Sequence, residues 1–135
     1  MLIVKPSKFT QTIRKLLATF TLSACLTLPV TTLADTALIE TPLGDIQIEL
    51  LTDDAPNTVA NFVNYVQNFK YYKSFMHRSV PGFVIQGGGF TFNGVNPQGI
   101  IPFAPIENEF KVSNTRGTVA MAKIAGNPDS ANSQW

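Results

Sequence analysis

Phe75-Met76-His77-Arg78-Ser79-Val80-Pro81-Gly82-Phe83-Val84-Ile85-Gln86-Gly87-Gly88-Gly89-Phe90-Thr91 is the stretch on which the reading of this chain turns. Phe75 to Val80 and Phe83 to Gln86 read as two short strands, rich in β-branched and aromatic residues. Pro81-Gly82 between them is a turn dipeptide, because Pro fixes φ and Gly accepts a positive φ. Side chains alternate faces along an extended strand, so this hairpin would bring Arg78 near Phe83 and Gln86. A guanidinium, an aromatic wall and an amide on one face suit an apolar ring with a carbonyl beside it. The plainer alternative is a hairpin whose Phe and Ile fill a core while Arg78 is solvated.

Working outward, Thr36 to Thr41 and Ile46 to Leu51 are alternating segments separated by Pro42-Leu43-Gly44-Asp45, which predicts an antiparallel hairpin with Ile46, Ile48 and Leu50 on one face. Asp53-Asp54-Ala55-Pro56 has the composition of a helix start, with an Asp as cap and Pro in the first turn. Val59, Phe62, Val63 and Val66 recur at helical spacing and predict the apolar face of a helix ending near Phe69. The paired Asp residues are read as cap and solvated turn rather than as a metal or acid–base pair. Of Tyr71 and Tyr72, packing of the helix is the expected use. Gly87-Gly88-Gly89 is not followed by Gly-Lys-Ser/Thr, so it is not a phosphate loop; it suits close backbone approach to another segment. Residues 93–105 read as an ordered surface loop, and Gly117 to Ala122 as a buried strand.

At 135 residues the chain holds one domain at most. Residues 1–34 do not read as part of it. Lys5, Lys8, Arg14 and Lys15 form a basic region, Leu16 to Val30 is apolar, and Thr32-Leu33-Ala34 is a small-residue cleavage site. That pattern predicts a secretory signal peptide cleaved after Ala34, and hence a periplasmic or secreted product. The alternative is a lipoprotein: Leu22-Ser23-Ala24-Cys25 resembles a lipobox, which would anchor the chain at Cys25, although the apolar run continues past it. Cys25 is the sole cysteine, so a chain beginning at Asp35 has no disulfide. It would carry six basic and nine acidic residues, a formal charge of −3, with no basic patch for nucleic acid or a membrane surface.

Met76-His77-Arg78, Val80-Pro81-Gly82-Phe83 and Ile85 through Thr91 resemble, without a gap, the signature of the cyclophilins, which are peptidyl-prolyl cis-trans isomerases. The resemblance extends to Pro56 through Phe62 as the family's first helix and Arg116 through Ala122 as a later core strand. Glu107-Asn108-Glu109-Phe110 resembles its acidic tetrapeptide, and Ser130 through Gln134 the start of the segment that completes the site. It implies a mainly β fold over residues 35–135, a cyclophilin-like antiparallel β-barrel with a capping helix, incomplete at the C-terminus. It implies Arg78, Phe83 and Gln86 as catalytic residues, with Val84, Ala122, Lys123 (through its backbone) and Gln134 contacting substrate. Phe83 and Val84 would line a proline pocket. Val84 and Lys123 stand where the family usually has Met and Asn, which trims the pocket wall in the first case. The family also has a phenylalanine just beyond the position of Trp135, and further on a rim aromatic, a histidine, more strands and a second helix. The expectation is therefore an isomerase acting on proline-containing exported polypeptides, with no cofactor and no metal, monomeric when complete. The alternative is an inactive fragment or a non-catalytic binder of proline peptides, and the chain ending at Trp135 is not expected to close a barrel.

The chemistry is economical. Rotation about an X–Pro bond faces a barrier of about 18–20 kcal/mol from amide resonance, and no bond breaks. A donor aimed at the prolyl nitrogen stabilises the twisted amide, so no nucleophile or proton relay is called for. His77, the sole histidine, is accordingly read as making a structural hydrogen bond.

Overall fold

The computed structural model describes residues 35–135; the leader and the lipobox at Cys25 lie outside the described residues. In chain order the elements are β1 (Thr36–Ile39), β2 (Ile46–Glu49), α1 (Pro56–Gln67), β3 (Arg78–Val80), β4 (Val84–Gln86), β5 (Phe90–Phe92) and β6 (Pro97–Gly99). They form three antiparallel hairpins, β1–β2, β3–β4 and β5–β6. The class is mostly strand with one helix, and among the described residues no barrel closes.

The first hairpin follows the alternation of its sequence. Ile39 pairs with Ile46 and Ala37 with Ile48, so the apolar residues share one face, and Ile39 is buried. The bend between them is held by the Gly44 N–H donating to the Thr41 carbonyl (3.1 Å). In the second hairpin the Phe83 N–H reaches back to the Val80 carbonyl (3.1 Å) across Pro81-Gly82, and Gly82 takes φ +75° as that turn requires. The strands are shorter than expected: residues 75–77 precede β3 and Phe83 belongs to the turn. The 93–105 segment is not all loop, because Pro97–Gly99 pairs with β5. A bridge between Ser74 and Thr91 and a bond from the Phe92 N–H to the Lys73 carbonyl (3.0 Å) join the third hairpin to the chain entering the second.

Helix α1 forms where the apolar spacing placed it, but its buried stripe is shifted. Asn61, Phe62 and Tyr65 are buried, whereas Val59, Val63 and Val66 are half-buried. Aromatic packing sets the rotation. Tyr65 stacks on Tyr71 (centroids 5.4 Å apart) and meets Phe103 at 4.7 Å, while Phe62 contacts Tyr71 at 5.6 Å and Trp135 at 6.4 Å. Such ring pairs add stability beyond the area they bury. The Tyr65 hydroxyl accepts from the Phe103 N–H (2.7 Å), and the Asn61 amide donates to the Asn132 carbonyl (2.6 Å). Tyr71 joins this core and Tyr72 is exposed. The helix ends at Gln67, and Phe69 beyond it takes φ +56°.

The expected cap is corrected. Ala55 is the N-cap and makes no side-chain bond; Asp53 and Asp54 lie in the turn before it. The first free N–H groups of the helix are instead met by Glu109, whose carboxylate accepts from Asn57 (3.1 Å) and Thr58 (2.8 Å). A carboxylate here satisfies unpaired donors and suits the positive end of the helix dipole. Desolvation pushes the Glu109 carboxyl up, but the Thr58 and Asn57 bonds outweigh it and leave the group below its ordinary value.

The buried strand expected over Gly117 to Ala122 is also corrected. Residues 111–120 are exposed, Met121 and Ala122 are half-buried, and no strand forms. An apolar run becomes a strand only when a neighbour completes its backbone hydrogen bonds. Here, between residues 119 and 122, the backbone bond found is the Ala122 N–H to the Gln134 carbonyl (2.8 Å).

Candidate active site

The second hairpin carries most of the candidate site residues. Arg78 lies directly opposite Gln86 in the register, and its guanidinium donates from Nη1 to Gln86 Oε1 (3.1 Å). The same guanidinium sits 5.8 Å from the centroid of the Phe83 ring, within cation–π range. Three side chains from one turn thus converge as the Pro-Gly hairpin requires. Phe83 is 77% exposed, and Val84 beside it is half-buried.

Gln134 reaches this group from far along the chain. Its Oε1 accepts from Gln86 Nε2 (2.8 Å), and its main-chain carbonyl accepts from Ala122. Arg78, Phe83, Gln86, Gln134 and Ala122 are therefore linked in one array, with Val84 on the same hairpin. Lys123 departs from it: its Nζ donates to Asn108 Oδ1 (2.6 Å), so its charge is held against the 107–109 segment.

The triple glycine explains how the array is anchored. The Gly87 N–H donates to the Trp135 carbonyl (2.8 Å) and the Trp135 N–H to the Gly87 carbonyl (3.3 Å). Gly88 has φ +72°, and a Cβ there would run into the Ser133 carbonyl oxygen and the Trp135 indole. On either side, a Cβ at Gly87 would press on the same indole at 3.1 Å, and one at Gly89 on His77 Cε1 at 2.8 Å. The run is thus a groove for residues 133–135 on one side and the His77 ring on the other. His77 packs edge-on to Phe90 (5.1 Å); its Nδ1 is buried without a partner, so packing, not the expected hydrogen bond, is what its ring provides. The anchor continues inward through the Tyr71 hydroxyl, which donates to the Ser133 carbonyl (2.6 Å); burial pushes that phenol up, aided by Tyr65, so it stays a donor.

Reasoning from sequence missed Trp135 as a core residue and Glu109 as a cap. The glycine run was the signal for the first, since it predicted a close backbone neighbour; no local pattern marks the second. A cleft of about 490 Å³ lies elsewhere, lined among others by Ile48, Leu50, Val59, Phe62, Val119 and Met121. Arg78, Phe83, Gln86 and Gln134 are not in its walls, whereas Lys123 is.

The hairpin presents a guanidinium, an exposed ring and an amide shared with Gln134. The family model described as cyclophilin type peptidyl-prolyl cis-trans isomerase/CLD matches residues 36–135, and the chain belongs to that family. It is 46% identical over 99 residues to a peptidyl-prolyl cis-trans isomerase of Acinetobacter baylyi, covering 72% of this chain and 50% of that protein. Peptidyl-prolyl cis-trans isomerase B of Escherichia coli is 43% identical over 94 residues, covering 68% and 55%. Isomerase A of Dickeya dadantii is 38% identical over 104 residues, covering 73% and 50%. The chain thus spans about half the length of these curated relatives.

Proposed function

We propose that the protein carrying this domain accelerates cis–trans isomerisation of X–Pro bonds in exported polypeptides. The observation that carries the reading is the Arg78 guanidinium, held at 3.1 Å by Gln86 and over the Phe83 ring. Twisting an X–Pro amide breaks its resonance and localises a lone pair on the prolyl nitrogen. Arg78 supplies a permanent donor to that nitrogen, while the Phe83 ring and Val84 hold the pyrrolidine ring and the acyl side turns. The donor gains most when the amide is twisted, so binding favours the transition state over either planar isomer. Main-chain groups at Ala122 and Lys123 orient the residues preceding proline, and Gln134 borders the same cleft. In the complete domain the three hairpins belong to an antiparallel barrel with α1 over one mouth. The leader directs export and is removed after Ala34. Intact mass of the exported product checks this: a chain starting at Asp35 supports it, and a diacylglyceryl-modified Cys25 overturns it in favour of membrane anchoring.

A protease-coupled assay on a proline peptide tests the mechanism in the full-length protein. A hydrogen bond to a charged group is worth about 1.5–3 kcal/mol, so Arg78→Ala is expected to lose roughly 10- to 150-fold in turnover. Arg78→Lys does not restore it, because the planar fork is gone, and His77→Gln costs far less. Near-normal turnover by Arg78→Ala would sink the mechanism.

A further inference from the structure

We propose that Asn93 is a site of covalent self-modification, at which the β5–β6 turn closes a cyclic imide between Asn93 and Gly94 and releases ammonia. The proposal stands apart from the isomerase reading. Asn93 alone among the asparagines precedes glycine, while Asn96 and Asn127 precede proline, which has no N–H to give up. Asn93 and Gly94 lie in the exposed turn between β5 and β6. The groups that must react are disposed as the reaction needs. Asn93 Oδ1 accepts from the Val95 N–H (2.9 Å) and the Asn96 N–H (2.8 Å). Asn93 Nδ2, the leaving amine, and the Gly94 N–H, the nucleophile, are bonded to nothing among the described residues. Gly94 takes φ +100° with open space where a side chain would stand, so nothing shields its nitrogen.

The step is an intramolecular acyl transfer. The Gly94 nitrogen gives its proton to water and attacks Cγ of Asn93, forming the N–Cγ bond. Negative charge gathers on Oδ1, where two N–H donors already point, and donors preset at a developing oxyanion lower the barrier to forming it. The Cγ–Nδ2 bond then breaks, and Nδ2 takes up a proton and leaves as ammonia. Water opens the imide at either carbonyl. Opening at Cγ leaves an aspartate, whose carboxylate still accepts from Val95 and Asn96. Opening at the main-chain carbonyl leaves an isoaspartate, which inserts an extra carbon into the backbone of a turn whose strands pair Phe92 with Pro97. The asparagines of the helix region are held against this reaction. Asn61 is buried with its amide on the Asn132 carbonyl, and the Asn68 amide donates to the Asn64 carbonyl at 2.9 Å.

The experiment incubates the full-length protein at mildly alkaline pH, where the Gly94 N–H is more readily deprotonated, and follows intact mass, released ammonia and a peptide map. The expected result is a gain of one mass unit matched by the ammonia released. The map places that gain at Asn93 before any other asparagine, with aspartate and isoaspartate eluting as separate products. Asn93→Gln loses the gain, because the longer side chain no longer brings its carbonyl carbon to the Gly94 nitrogen in the same small ring. The same incubation in urea removes the turn while keeping the sequence, and the folded protein is expected to lose Asn93 no more slowly than the unfolded chain. A gain that appears first at another asparagine, or that persists in Asn93→Gln, would overturn the proposal. A folded protein that keeps Asn93 while the unfolded chain loses it would overturn it as well, by showing that the turn protects the residue.

Discussion

Two neighbouring segments, 111–129 and 130–135, reverse what their compositions suggest. The first contains Val119, Met121 and Ile124, yet every residue in it is exposed except Met121 and Ala122, which are half-buried. The second reads Ser-Ala-Asn-Ser-Gln-Trp, yet Ser130, Ala131, Ser133 and Trp135 are buried. The difference lies in partners. Ala131 bridges Ile106, the Asn132 carbonyl takes the Asn61 amide, Ser133 takes the Tyr71 hydroxyl, and Trp135 pairs with Gly87. The 111–129 segment instead closes short turns of its own, as Thr118 to Thr115 and Asn127 to Ile124, and is held outward at scattered points, as Lys111 to Asp53, Ala122 to Gln134 and Lys123 to Asn108. A polar segment most of whose carbonyls are received can be buried cheaply, and an apolar one without a ladder stays outside. Gln134, the candidate site residue that comes from farthest along the chain, belongs to the segment that is received.

Breaking that reception should be the most damaging change. Gly88→Ala forces a positive φ on a residue with a Cβ and drives it into Ser133 and Trp135, so a loss of about 3 kcal/mol is expected. Chemical denaturation of the full-length protein measures it, and a midpoint equal to wild type would show that the glycine run is not what holds 133–135. Tyr71→Phe removes the donor to the Ser133 carbonyl (2.6 Å) and leaves that oxygen buried, at a cost of about 1–2 kcal/mol in the same measurement.

Glu109, just before the looser region, sharpens the comparison because it grips the helix. Its folded-state value is depressed, so its stabilisation is fully present above the unfolded-state value of about 4.3 and is lost as pH falls through the folded value. Wild type and Glu109→Gln should therefore differ in melting temperature at neutral pH, and the gap should close as pH falls below the unfolded-state value and through the folded one. A gap that persists in acid would assign the effect to packing rather than charge. The smallest change is expected from Lys123→Ala, which loses an exposed bond to Asn108; stability should stay within about 0.5 kcal/mol of wild type.

What was legible from sequence was what is local. Pro81-Gly82 fixed the turn, and with it the facing of Arg78, Phe83 and Gln86; alternation placed Ala37 and Ile39 over Ile48 and Ile46. The rest depended on partners distant in the chain. The helix stripe turned because Tyr65 found Tyr71 and Phe103, and Asn61 was drawn inward by Asn132. Val119 has strand composition but no ladder partner among the described residues. Gln134 was placed near the site only by the family pattern, and its bond to Gln86 spans a sequence separation of 48.

The cap on α1 has a consequence for the order of events during synthesis. The donors at Asn57 and Thr58 are answered by a residue 52 and 51 positions downstream. At a translation rate of about 5–20 residues per second, the helix leaves the ribosome several seconds before Glu109 does. Through that interval its first turn is uncapped and its aromatic stripe has neither Phe103 nor Trp135 to lie against. The nascent chain must then wait for its own later half to make its only described helix secure, and that delay is a window in which a holding chaperone would meet it unfolded.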